Sequence, residues 1–81
     1  MKTLTEAEKE NIKNHLAEKL GLDLEEIKDD STLENNLGAD SLDKFEIAID
    51  LEKFYNISIP DDEIESLETV THLFECVEKY L

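Results

Sequence analysis

Tryptophan is absent, cysteine and proline occur once each, glycine twice, and Lys plus Arg number only eight against 22 acidic residues. Each scarcity excludes something. The lone Cys76 rules out an internal disulfide and fits a reducing compartment; with only His15 and His72 beside it, no Cys/His group has metal-ligand spacing, and no metal is expected. Two glycines leave no glycine-rich cradle for a phosphate. A formal net charge of -14 and a pI near 4.2 make nucleic-acid backbones and anionic membranes poor partners. No apolar run approaches transmembrane length, which argues against stable membrane insertion. Met1 leads into "KTLTEAEKENIKNHL", charged and helical in pattern rather than an apolar signal region, so the expected location is the cytoplasm.

What is present points to one small domain, 1–81. The chain is 40% hydrophobic, with Leu, Ile and Val spread along it, but 37% charged. A core at this size, near roughly 80 residues, leaves only about 3–5 kcal/mol of net stability, so large substrate clefts do not fit. The acidic coat either solubilises the fold or steers basic patches on other proteins, and its self-repulsion implies sensitivity to salt.

The periodicity predicts an all-α fold: a small bundle of three longer helices and one short one, with a long loop between the first two. Ile12, Leu16 and Leu20 recur every four residues, Thr5 and Glu8 are set as a capping box, and Gly21 is a stop. From Leu22 to Asp40 the period breaks down, yet Leu24, Ile27, Leu33 and Leu37 recur as anchors that pin a loop to the core. Asp40 is placed to cap the second helix, with Ser41 at its first position and Asp43 two residues on as the reciprocal partner; the helix should run to about Tyr55, with Asn56 left-handed after it. Pro60, with Asp61 as cap, opens a short third helix. Thr69 caps a fourth with an apolar stripe of Val70, Leu73, Phe74, Val77 and Leu81. Nothing reads as a strand.

The second helix is apolar over more than half its circumference at about 100° per residue, so it should be packed on several sides. Asp43, Glu46, Asp50 and Lys53 share the remaining sector, and Leu42 and Ile49 border it, the apolar positions best placed to face outward. Tyr55 and Cys76 read as core or boundary residues, and His15 and His72 as surface helix residues without chemistry.

Ser41 stands at the head of this helix in "LGADSLD". As a nucleophile it would need a base and glycines two residues to either side, where Ala39 and Asp43 stand instead. For a noncovalent phosphate, a helix N-terminus favours an anion by about 0.3–1 kcal/mol. One Asp about 6 Å away opposes this by roughly 0.7 kcal/mol even in water-like dielectric. The two effects cancel, so a phosphate held there would need a covalent bond. A calcium loop fails too, since aligning Gly38 with its glycine puts Leu33, Leu37 and Lys44 at ligand positions. By spacing alone, an ordinary first-turn residue is the favoured reading of Ser41.

"LGADSLDKFEI" resembles the prosthetic-group attachment motif of acyl carrier proteins, and "LGLDLEEI", "LEKFYNISIP" and "DDEIESLETV" extend the resemblance over nearly the whole chain. The resemblance implies a carrier that is not itself an enzyme. Ser41 would be joined through a phosphodiester to 4'-phosphopantetheine, whose thiol carries acyl chains as thioesters. Asp40 would serve recognition by the phosphopantetheinyl transferase that installs the arm. Acyl-loading, elongating and acyl-transferring enzymes with basic patches would meet Leu42, Asp43, Glu46, Ile49, Asp50 and Glu52, of which Glu52 lies on the opposite border of the helix. Phe45, Ala48, Leu51, Ile59, Ile64, Leu67, Val70 and Phe74 would line a shelter for the acyl chain, although core packing alone accounts for any one of them. The expected role is that of a monomeric, free-standing carrier of fatty acid synthesis. The alternatives are a carrier of a polyketide or other specialised lipid pathway, or an unmodified acidic helical adaptor.

Three departures from the family pattern stand out. Lys44 and Lys53 place positive charge on or beside the recognition helix, and Phe45 takes the place of a smaller aliphatic residue, which implies a shelter suited to short or unusual chains.

Overall fold

A computed structural model describes residues 3–81, so the charged Met1–Lys2 start lies outside the described residues. Four helices follow in order: α1 (Glu6–Leu20), α2 (Ser41–Tyr55), α3 (Asp61–Glu65) and α4 (Val70–Tyr80). No described residue lies in a named strand; Thr32 and Thr69 form an isolated antiparallel bridge.

The helix ends follow from local chemistry. The Glu8 amide donates to Thr5 Oγ1 at 3.1 Å and the Thr5 amide to Glu8 Oε1 at 3.0 Å, which satisfies two donors that an α-helix start leaves unpaired. Gly21 ends α1 at φ 69°, a left-handed position that a side chain would strain. Thr69 Oγ1 accepts from the His72 amide at 3.1 Å to open α4. The expected Asp61 cap of α3 is corrected: Pro60 is the N-cap and Asp61 the first helical residue, because Pro60, at φ -60° and ψ 144°, is the last extended residue and the helix starts after it.

The 20-residue stretch between α1 and α2 is pinned, as its apolar anchors require. Ile27, Leu33 and Leu37 are buried, while Leu24 is half-buried and starts a 3-10 turn, Leu24–Glu26, that the periodicity did not reveal. Its capping box, Asp23 with Glu26, was written in the sequence. Backbone bonds then bind this stretch to the start of α4: Leu33 N to Glu68 O at 2.8 Å, Val70 N to Ser31 O at 3.1 Å, and Thr71 N to Asp29 O at 2.9 Å.

One core joins these elements. Ile12 and Leu16 from α1, Ile47, Ala48 and Leu51 from α2, Ile64 from α3, and Val70, Leu73, Phe74 and Val77 from α4 are all buried in it. Leu81 does not continue the α4 stripe; it follows the helix and is 37% exposed, since the chain has left the helical path. Cys76 is buried, and burial pushes its thiol pKa upward, which suits a packing residue and not a working thiolate. Tyr55 packs half-buried against the core, with its hydroxyl buried and unpartnered.

Candidate functional site

The site is built from the loop that delivers α2 and from the first turns of that helix. Gly38 turns the chain at φ 72°, Leu37 and Ala39 are buried beneath it, and the Ala39 amide donates to Leu33 O at 2.7 Å. This anchors the residue before the cap. Asp40 then caps α2: its Oδ1 accepts from the Asp43 amide at 2.9 Å, and Asp43 Oδ2 accepts from the Asp40 amide at 3.3 Å. Ser41 is the first helical residue and is exposed. Among the described residues its hydroxyl has no hydrogen-bond partner, because capping is carried by Asp40.

Neither histidine is directed to that hydroxyl. His15, expected as a bare surface residue, instead bridges helices: its Nε2 lies 2.8 Å from Asp50 Oδ2. Lys19 Nζ also donates to Asp50 Oδ2 at 3.3 Å and stands 3.6 Å from Glu46 Oε2. These partners, His15 first, hold the Asp50 carboxyl below its ordinary pKa against the opposing effect of burial, and Asp50 in turn raises Lys19. His72 Nδ1 accepts from the Glu68 amide at 3.3 Å. The sequence did contain the signal for the α1–α2 link, since His15 and Lys19 share a face at four-residue spacing.

The outward face of α2 is less acidic than the helical wheel suggested. Leu42 is 66% exposed and Ile49 44%, as expected for residues bordering the polar sector. Phe54 is 72% exposed and was expected in a helix packed on several sides. Asp43, Glu46 and Asp50 are half-buried, the first in the cap and the other two beside Lys19. Glu52 faces the other way: its Oε2 accepts from the Ile59 amide at 2.8 Å and so fixes the turn after α2. Phe54 also borders a groove of about 260 Å³ between α1 and α2, floored by Ile12, Leu51 and Tyr55.

The largest departure concerns Lys44. Far from adding charge to the recognition helix, it is 5% exposed and points inward, its Nζ 3.0 Å from Glu34 Oε1, 3.3 Å from Glu65 O and 3.2 Å from Leu67 O. Lys53 is exposed. Of the residues expected around an acyl chain, Ala48, Leu51, Ile59, Ile64, Leu67, Val70 and Phe74 share the buried core, and Phe45 packs half-buried against it.

Ser41 is thus an exposed, unengaged hydroxyl at the head of a capped helix, on an acidic four-helix fold. The class of protein is given by its likeness to known ones. Residues 10–77 match the phosphopantetheine attachment site family. Over 78 residues the chain is 37% identical to the acyl carrier proteins of two strains of Porphyromonas gingivalis, covering 96% of this chain and 99% of each relative. The fold is similar to the solution structure of the apo doublet acyl carrier protein from prodigiosin biosynthesis, with a TM-score of 0.76 and 26% identity over 89% of this chain. The match spans 35% of that longer chain.

The chain belongs to the acyl carrier proteins, which carry acyl groups on phosphopantetheine and are not enzymes. Its partners are accordingly a phosphopantetheinyl transferase and acyl-handling enzymes. No helix among the described residues is long and apolar enough to cross a membrane.

Proposed function

We propose that Ser41 is the attachment point of 4'-phosphopantetheine and that the chain, as one carrier domain over 1–81, shuttles acyl thioesters between the cytoplasmic enzymes of fatty acid synthesis. The observation that carries this reading is the free, exposed Ser41 hydroxyl at the start of α2, inside "LGADSLD". A phosphate bonded there sits at a helix N-terminus, which favours its charge, while the bond overcomes the repulsion of the flanking aspartates. Asp40, exposed beside Ser41, is the residue by which the transferase recognises the site. The similarity to free-standing relatives of nearly equal length favours fatty acid synthesis. The likeness to the prodigiosin carrier keeps a specialised pathway as the second reading.

Basic patches on partner enzymes meet the α2 face formed by Leu42, Asp43, Glu46, Ile49 and Asp50, and the carrier acts as a monomer. Glu52, committed to the Ile59 amide, is left out of that face. The acyl chain shelters among the core residues of α2 and those packed against them, where the bulk of Phe45 favours short or unusual chains. The test is intact mass after incubation with coenzyme A and a broad-specificity phosphopantetheinyl transferase. Addition of one phosphopantetheinyl group, lost in Ser41→Ala with the fold unchanged, is expected. An unmodified native chain would leave the adaptor reading. Acceptance of malonyl from an acyltransferase of fatty acid synthesis then separates that pathway from a specialised one.

A further inference from the structure

Among the described residues of this acidic chain Lys44 is the one buried lysine, and its place on α2 relates it to Ser41. The two are three residues apart, so their side chains lie on one side of the helix, about 5–6 Å apart at Cβ. An ammonium has three protons, and here each has an acceptor: Glu34 Oε1 in the loop, Glu65 O at the end of α3, and Leu67 O just beyond. The two carbonyls lie at and just past a helix C-terminus, where acceptors lack intrahelical donors and a cation is favoured. On its other side the same segment is held by backbone bonds to the loop, Leu33 N to Glu68 O and Val70 N to Ser31 O. Among the described residues, the hydrogen bonds between α2 and residues 65–68 all come from Lys44. One side chain therefore supplies the hydrogen bonds across the seam between α2 and the α3–α4 turn. Ile64 and Leu67 of the adjoining segment, each 2% exposed, belong to the core.

We propose that Lys44 is the latch of this seam and sets the acyl length at which a chain carried on Ser41 begins to enter the core. The inference rests on the reading of Ser41 as the attachment site and of the core as the shelter. A chain passing from Ser41 into the core along this seam must part the ammonium from both carbonyls, a cost that does not depend on chain length. Each methylene buried favours entry by about fourfold. A fixed cost set against a gain that grows with length produces a threshold: chains below it stay in solvent, chains above it are sheltered. Lys44 is a positioning residue in this role, acting on the cargo through the α3 carbonyls.

The experiment loads the native protein and Lys44→Met with butanoyl through decanoyl groups and follows thioester cleavage by hydroxylamine. Met keeps the length and apolar stem of Lys without the ammonium. Protection in Lys44→Met should begin about two methylenes earlier, and the longest chain left unprotected by the native protein should be cleaved roughly tenfold more slowly in the variant. A substitution that merely loosened the fold would change cleavage in the opposite direction, faster at the lengths the native protein shelters. Glu34→Gln, at an exposed loop residue, removes the charge from one arm of the latch and should move the onset the same way by less. Length-dependent profiles that coincide in all three proteins would overturn the latch and leave the shelter standing. Profiles flat with length in all three would overturn the shelter and the latch with it.

Discussion

Asp40 caps α2 in this structure and is proposed to serve transferase recognition, and substitution can pull the two apart. Its carboxylate caps the helix through the 2.9 Å bond from the Asp43 amide, and its charge stands beside Ser41, the proposed attachment point. Asp40→Ala removes both. Loss of an N-cap costs about 1 kcal/mol, within a range of roughly 0.5–2. In a domain of this size about 1 kcal/mol lowers Tm by roughly 4–8 °C. Asp40→Asn keeps an acceptor oxygen of equal capping rank and removes only the charge. The lost helix-dipole attraction, about 0.3–1 kcal/mol, is partly offset by relief of repulsion from Asp43. Its Tm should therefore fall by no more than about 3 °C. Thermal melts and the initial rate of phosphopantetheinyl transfer, measured on the same preparations, separate the roles. Both variants should be modified slowly, but only Asp40→Ala should also melt low. Equal melting of the two variants would refute the capping argument. Native transfer rates in Asp40→Asn would refute the recognition role of the charge.

Two further outcomes follow from single contacts. Glu52→Ala strands the amide of Ile59, a residue only 4% exposed, and should cost about 1–3 kcal/mol, whereas Glu52→Gln retains an acceptor and stays near native; melting and hydrogen exchange at the Ile59 amide check this. Asp50 is held below its ordinary pKa of 3.8, chiefly by the His15 hydrogen bond and then by Lys19, so it binds fewer protons folded than unfolded. Such a group stabilises the fold fully above its unfolded pKa and loses that contribution as pH falls through the folded one. The Tm difference between native protein and Asp50→Asn should be complete above about pH 5 and fade as pH falls toward about 2. A difference that grew on acidification would overturn the α1–α2 tether.

Much of the fold was legible because the helix boundaries are local chemistry. Thr5 with Glu8, Asp40 with Asp43, and Thr69 each supply an oxygen to an amide within three residues, and Gly21 and Asn56 take the left-handed stops, so nothing distant is needed to set them. The head of α2, with Ser41 free because Asp40 caps, is legible for the same reason. The Leu24–Glu26 turn carried the same signal in Asp23 and Glu26 but is too short for periodicity to reveal.

What the sequence by itself determined, then, is the set of helices, the caps of α1, α2 and α4, and the exposed serine between two aspartates. Only the tertiary structure decided which way the charged side chains of α2 turn. Lys44 was expected to place positive charge on or beside the outward face of this helix, yet it turns inward, which a buried ammonium tolerates only where acceptors converge on it. Those acceptors come from residues 34, 65 and 67, brought together by packing. Glu52 and Asp50 likewise found partners on other segments, at Ile59 and at His15 and Lys19. A cap is satisfied within one turn, so sequence spacing specifies it; a buried charge needs partners distant in sequence, and only the fold places them.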